Sequence, residues 1–556
     1  MPVEGGQQRT SEDVFPAVEP RPPVTLLPEA VEQGARGASA DLVFVDAELN
    51  ERRVGYDELL DGVERAAAAL RELGLERGDR VCLAATTSPE LVQTLFGAWR
   101  AGLVPTMASL PRGGDPSAWL ETMAMRVQIT GSKAILTAKP LVEMIEPAGV
   151  AERTVACEDL VAHPERISEP IEGDPGDVAY LQFTSGSTGT ERAVTLGHTQ
   201  ILWNAFHDVG DTFGLTSEDV RVSWLPLYHD FGFVFLLTAV SRGAPLVLQS
   251  PEQFVRRPAS WMDACSRYGA TATAAPNSAY GIAARDLSLN PRELDLSNLR
   301  ILMNGSEPVD METVEAFMEA AEPYGIPPNA ICAAYGMAEV TLAVAWVRPD
   351  QPQEAVTVAR EGLGERGTKV ELVDASHEKA RRLALCGTPD EATDVRVVDE
   401  NDAELPAWHV GEIVIRGPSM MLGYWEDEES TASTIRDGWV HSGDLGFVTD
   451  SGQLVPCGRI KDMIIVGGRN LYPEEYEFLT ERVEGVRKGN AIAFSLPEQE
   501  RMVVVAETKA VDSADEVARR VYDSLRRDVD PPPSEVLVVP PGTIPKTSSG
   551  KRQRTR

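Results

Sequence analysis

The amino-acid sequence predicts an α/β protein with a large N-terminal domain of packed α/β subdomains and a small, mobile C-terminal α+β domain. Three observations carry that expectation. At 556 residues the chain exceeds the size at which one hydrophobic core keeps growing, which calls for at least two domains. From about Asp41 to Gly458, short β-branched runs alternate with amphipathic stretches of ten or more residues, the pattern of βα units on a largely parallel sheet. Beyond Arg459 the character changes: a basic, glycine-rich turn (Gly467, Gly468, Arg469) leads into a compact αβ segment ending in Pro531-Pro532-Pro533. The expected division is a flexible leader over 1–28, an N-terminal domain over 29–460 and a mobile C-terminal domain over 461–556.

In order along the chain, the leader is rich in Pro, Gly, Gln and Glu and lacks the apolar core of a signal peptide. Asp177 to Phe183 reads as a strand, followed by the polar loop Thr184 to Glu191, a second extended run and a helix with Thr199 as its N-cap. The longest strongly apolar stretch, Phe233 to Val240, is too short to span a bilayer, and the expected location is cytoplasmic. Leu299 to Met303 and Ala330 to Ala334 read as strands that run into glycine turns, Asn304-Gly305 and Tyr335-Gly336. Loops at the C-terminal ends of strands are where open α/β sheets hold ligands.

Composition excludes several classes. With 43% hydrophobic and 25% charged residues the chain sits in the globular range. A formal charge of −34 argues against a general nucleic-acid surface, which needs a basic stripe. Cys82, Cys157, Cys265, Cys332, Cys386 and Cys457 include no CxxC pair, so neither a disulfide framework nor a structural zinc site is expected. The one basic run is C-terminal: Lys546, Lys551, Arg552, Arg554 and Arg556.

The sharpest local signal is Thr184-Ser185-Gly186-Ser187-Thr188-Gly189-Thr190 directly after a strand. Glycines let backbone approach a polyanion, and hydroxyls and N–H groups donate to phosphate oxygens. It is not a Walker A loop, since no Gly-Lys-Ser/Thr follows at the required spacing. Further motifs follow in order: Leu225 to Asp230 with His229, Asn304-Gly305-Ser306-Glu307-Pro308, Tyr335-Gly336-Met337-Ala338-Glu339, His441-Ser442-Gly443-Asp444, Gly458-Arg459-Ile460-Lys461-Asp462, and Pro545 to Lys551.

From about residue 40 onward, this series resembles the adenylate-forming superfamily of acyl-CoA synthetases, luciferases and peptide-synthetase adenylation domains. Within it, His229-Asp230, Asn304 to Pro308 and Ala338-Glu339 look like the fatty acyl-AMP ligase branch. The resemblance implies the adenylate-forming enzyme fold and ATP-dependent activation of a carboxylic acid to acyl-AMP, with Mg²⁺. The acyl group would then pass to a phosphopantetheine thiol, on an acyl carrier protein in preference to CoA. It implies Lys551, Glu339 and His229 as the catalytic residues, Glu339 also at the metal, and Lys461 as the hinge. Nucleotide contacts would come from Thr184 to Gly189, Gly305, Ser306, Glu307, Tyr335, Gly336, Met337, Ala338, Asp444 and Arg459. His229 is either an acyl-channel or a structural residue.

Two departures qualify the resemblance. After the phosphate loop the family usually carries Lys-Gly, whereas this chain has Arg192-Ala193, which keeps the cation. Phe231 and Phe233 stand where smaller or more flexible side chains are common; pointing into the acyl channel they would shorten it and favour a medium-length or otherwise compact acid. The charged stretch Arg348 to Arg382 is either the branch's rotation-limiting insertion or an ordinary surface loop. Three other activities fit the same motifs: an acyl-CoA ligase, an adenylating enzyme for an aryl acid or small anion, and an inactive nucleotide-binding homologue.

Overall fold

The computed structural model describes residues 22–111, 116–170, 172–184, 191–349, 351–462, 464–466, 469–471, 473–496, 501–529 and 531–546. The βα alternation folds into two sheets. The first has eight strands in the order Ala343–Trp346, Ile331–Gly336, Ile301–Asn304, Ala272–Ala275, Arg221–Ser223, Leu246–Gln249, Asp41–Val45 and Glu51–Gly55. Its six inner strands pair in parallel and only the two edges are antiparallel. The strands Leu246–Gln249, Ala272–Ala275 and Ile301–Asn304 are buried at every position, as expected for a sheet covered on both faces. The second sheet has seven strands: Gly423–Tyr424, Arg192–Gly197, Val178–Thr184, Val104–Met107, Arg80–Ala84, Ala134–Thr137 and Thr154–Ala156.

The apolar stretch near residue 235 becomes the helix Asp230–Val240, hydrophobic all round and buried at every position after Asp230. It packs against Leu246–Gln249 and Arg221–Ser223 of the first sheet, while Phe233 stacks on Tyr180 of the second with ring centroids 4.3 Å apart. Among the described residues, no helix is long and apolar enough to cross a membrane. A third, antiparallel sheet follows, in which Asp394–Val398, Gly411–Arg416 and Trp439–Val448 pair in succession and Leu454–Arg459 joins Trp439–Val448. The smaller C-terminal domain packs Pro473–Glu481 and Ala514–Asp528 with Ala491–Leu496, Arg501–Glu507 and Glu535–Val539. Its own core includes Tyr476, Val504, Val521 and Leu525.

Strand boundaries fall one or two residues later than the sequence suggests, at Val178–Thr184, Ile301–Asn304 and Ile331–Gly336. The helix expected to be capped by Thr199 begins at His198, with Gly197 as N-cap; the Thr199 hydroxyl instead donates to the Pro175 carbonyl at 3.1 Å. Gln200 reaches back to accept from the Gly197 N–H at 3.1 Å and satisfies that end. All six cysteines are buried free thiols, and burial pushes Cys82, Cys157, Cys265 and Cys386 up to about 12.

His198 anchors the first described helix, Leu27–Ala35, because its Nδ1 accepts from the Leu27 N–H at 3.2 Å. Burial lowers its pKa from 6.5 to about 4, with Asp177 and Glu29 opposing the shift. The folded pKa lies below the unfolded one, so stability is full above 6.5 and declines as pH falls toward 4. Lowering the pH from 7 to 5 should therefore reduce the melting temperature. That part of the slope should vanish in His198→Gln, as read by calorimetry against the native protein.

Candidate active site

Parallel pairing brings the C-terminal ends of Ile301–Asn304 and Ile331–Gly336 to one edge, setting their two glycine turns side by side. A Cβ on Gly336 would stand 1.8 Å from the Leu342 carbonyl oxygen, so the turn that reverses the chain there has no space for a side chain. Just before it, the buried Tyr335 hydroxyl donates to Asp444 Oδ2 at 2.7 Å. Asp444 lies opposite Arg459 in the antiparallel register, and Arg459 Nε donates to its Oδ1 at 2.9 Å. The three residues come from three separate strands and form one polar cluster.

Burial and the Asp444 charge hold the Tyr335 hydroxyl well above the ordinary tyrosine range, so it remains a donor. Asp444, aided by Asp462, raises the Arg459 guanidinium above its usual range against the opposing effect of burial. Each Asp444 oxygen has a second lone pair beyond its bond to Tyr335 or Arg459, leaving acceptor capacity for a pair of vicinal hydroxyls.

Glu339 sits on the 3₁₀ turn Ala338–Val340, downstream of Met337. Burial raises its pKa, partly countered by the Tyr424 hydroxyl, which donates to Oε1 at 2.9 Å. Arg459 and Asp230 both act on Glu339 electrostatically, so the Tyr335 cluster, Glu339 and the His229 motif share one neighbourhood. His229 is the N-cap of Asp230–Val240; its Nδ1 is 2.6 Å from Asp230 Oδ1, which also accepts from the Phe231 N–H at 2.7 Å.

In the motif from Asn304 to Pro308, Gly305 packs beside the Ala334 carbonyl and Ser306 adopts a positive φ of 67°. The Glu307 carboxylate accepts from the Ser278 N–H at 2.9 Å and from its hydroxyl at 3.2 Å. Glu307 thus caps the helix Asn277–Leu289 while also lining the cavity. Thr184, the first residue of the phosphate-loop motif, ends its strand opposite Arg192. Ser185 to Thr190 lie outside the described residues, as does Lys551. Lys461 is exposed in the turn 460–462.

A cavity of about 2200 Å³ is lined by His229, Ser306, Glu307, Tyr335, Asp444 and Arg459, but not by Glu339. Its lining includes the apolar Leu83, Met107, Trp224, Phe231, Phe254 and Ile282, the polar Tyr335, Asp444 and Arg459, and Phe478, Lys488 and Lys546 of the small domain. Phe231 reaches this cavity, whereas Phe233 does not: it lies between Tyr180 and Trp99, with ring centroids 4.3 and 5.9 Å away. Two residues apart on a helix, the side chains diverge by about 200°. Of the two residues expected in the acyl channel, only Phe231 reaches the cavity, and Phe233 belongs to the core.

Sequence reasoning passed over Tyr424 and the aromatic wall. Arg192 lies over the Tyr424 ring, 5.4 Å from its centroid, so the cation that departs from the family pattern buttresses the partner of Glu339. Gly423-Tyr424-Trp425 was a visible aromatic signal, but nothing local connects it to Glu339.

Residues 31–425 match the pattern of the AMP-binding enzymes. The chain belongs to the AMP-binding enzyme family. A Mycobacterium tuberculosis protein provisionally named as a ligase, Rv1013, is 36% identical, over 95% of this chain and 98% of its own length. The medium-chain-fatty-acid–[acyl-carrier-protein] ligase JamA of Moorena producens is 32% identical, over 94% and 92%. A structure from a study of fatty acyl-adenylate ligases of E. coli and L. pneumophila superimposes with a TM-score of 0.88 at 30% identity, covering 96% of this chain and 97% of that one. This AMP-binding enzyme has the adenylate-forming fold, with the large α/β domain and the smaller C-terminal domain that its sequence predicts.

In this AMP-binding enzyme, Tyr335→Phe removes one neutral donor from Asp444 and should weaken AMP binding about fivefold, the equivalent of about 1 kcal/mol. Asp444→Asn, which also discharges the partner of Arg459, should weaken it more. Titration calorimetry with AMP checks both, with circular dichroism confirming that each variant is folded at the temperature of measurement.

Proposed function

We propose that this enzyme activates a medium-length or compact fatty acid to acyl-AMP and passes the acyl group to a phosphopantetheine thiol of an acyl carrier protein. The observation that carries this reading is one cavity whose lining includes both apolar aromatic side chains, among them Trp224, Phe231 and Phe254, and the polar cluster of Tyr335, Asp444 and Arg459. An acyl chain suits the apolar side chains and a nucleotide the polar cluster.

In the first step a carboxylate oxygen attacks the α-phosphorus of ATP in line; the new P–O bond forms as the bond to pyrophosphate breaks. In the second, the thiol sulfur attacks the acyl carbonyl, the thioester forms and AMP leaves. Two anions must meet in the first step, so fixed cations are its main requirement. Arg459 is one; Lys551 is assigned as the other by its motif. Asp444 receives the ribose hydroxyls, and Tyr335 presents its ring toward the base.

Glu339 is the residue to hold Mg²⁺, which supplies neutralisation of phosphate charge when bound. The fit rests on its chemistry: a carboxylate whose burial disfavours its charge, offered one hydroxyl donor by Tyr424, gains from a neighbouring cation.

The carrier-protein acceptor draws support from JamA and from the segment 348–382. Ala355–Ala359 and Ala380–Ala384 form an antiparallel hairpin, and Arg360 at its end donates to the Asp528 carbonyl of the small domain at 3.0 Å. A tie of this kind opposes the domain rotation that thioester formation on free CoA requires.

Mass spectrometry of products from Mg-ATP and a panel of fatty, aryl and small acids should detect an acyl-AMP that free CoA leaves unchanged. Efficient conversion to acyl-CoA would reassign the acceptor, and absence of any adenylate would reject the proposed activity. Phe231→Ala should lengthen the preferred acid by two or more carbons, measured as kcat/KM across chain lengths; Phe233→Ala should destabilise by about 3 kcal/mol or more, as a lost core aromatic, with no directed shift in preference.

A further inference from the structure

Behind the Glu339 turn lies a buried polar cluster that the proposed reaction does not use. It begins in an irregular helical segment, Asn204–Asp211, wound as a π-helix, a form that recurs at functional sites. Asp208 is 1% exposed and does not line the cavity. Its Oδ2 accepts from Asn204 Nδ2 at 2.6 Å and from the Ser419 hydroxyl at 2.5 Å. Asn204 brackets Ala343, accepting from its N–H at 3.3 Å and donating to its carbonyl at 3.1 Å.

From Ser419 the network reaches the catalytic turn directly. The Ser419 carbonyl accepts from the Thr341 hydroxyl at 2.9 Å, and two residues on, the Met421 N–H donates to the Glu339 carbonyl at 2.8 Å. Thr341 needs such restraint, because it holds φ 69° and ψ −59°, a conformation a β-branched residue strongly disfavours. Strain of this kind persists only where the surroundings over-determine it.

We propose that Asp208 is a positioning residue: through Ser419 it locks the strained Glu339–Thr341 turn, and so sets Glu339 for the metal–nucleotide complex. Burial, reinforced by the neighbouring Asp390 carboxyl, keeps Asp208 well above the ordinary carboxylate range, so a neutral amide is its nearest substitute. This proposal rests on Glu339 acting at the metal, and its test separates the two ideas.

Two probes are compared by titration calorimetry on the full chain. The first is Mn²⁺ with α,β-methylene-ATP, which needs the Glu339 carboxylate; the second is a metal-free acyl-sulfamoyl-adenosine, which does not. Asp208→Ala and, as a milder second variant, Ser419→Ala should weaken the first by about tenfold and the second by less than twofold. Asp208→Asn should stay within about threefold of native on both. Glu339→Gln should show the same split as Asp208→Ala. The positioning role is overturned where Glu339→Gln shows the split and the Asp208→Ala and Ser419→Ala proteins do not, or lose both probes equally. No split in Glu339→Gln overturns the metal assignment itself, and the positioning role with it.

Discussion

The Asp444 carboxylate is the joint on which the site depends. One oxygen is held by Tyr335 from the end of the eight-stranded sheet, the other by Arg459 at the end of the strand that leads toward the small domain. Three pieces of chain that are remote in sequence are thereby fixed at hydrogen-bond distance. Because Asp444 is nearly buried, removing either donor would leave a charged acceptor short of partners, and that penalty exceeds the net worth of one hydrogen bond. The same carboxylate raises the Arg459 guanidinium above its usual range and adds to the effect of burial that keeps Tyr335 protonated.

Glu339 obeys a different logic. Its turn is short, glycine-initiated and strained at Thr341, so it has little intrinsic preference for its observed shape. Order is supplied from outside, by the Met421 N–H, the Ser419 carbonyl and the Tyr424 hydroxyl, all from one stretch of chain about 80 residues later. Burial makes the Glu339 charge costly in the absence of a cation, and a group arranged in that way favours a positively charged complex when one arrives. The helix Asp230–Val240 brings His229 and Phe231 to the cavity at its start, while the rest is core.

Much of this was legible in the residues themselves. The βα alternation, the ends of the Ile301–Asn304 and Ile331–Gly336 strands and the change of character after Arg459 follow from local rules: periodicity marks elements, and glycine marks where a chain must turn at a strand end. Tyr335, Asp444 and Arg459 are named by the resemblance of their motifs to those of the adenylate-forming enzymes, and the fold brings the three together.

What the tertiary structure alone decided is which side chains face one another. Phe231 and Phe233 are equivalent in composition, yet helical rotation and the Tyr180–Trp99 pocket send one to the cavity and the other to the core. Tyr424 and Arg192 become supports of Glu339, Glu307 becomes a helix cap as well as a wall, and Asp208 becomes a buried anchor, through contacts that span 29 to 232 residues. The sequence determined the elements, their order and the chemistry carried at their ends, since those depend on neighbours within a few residues. Pairings across such separations depend on how the sheets and helices pack, and no local pattern encodes them.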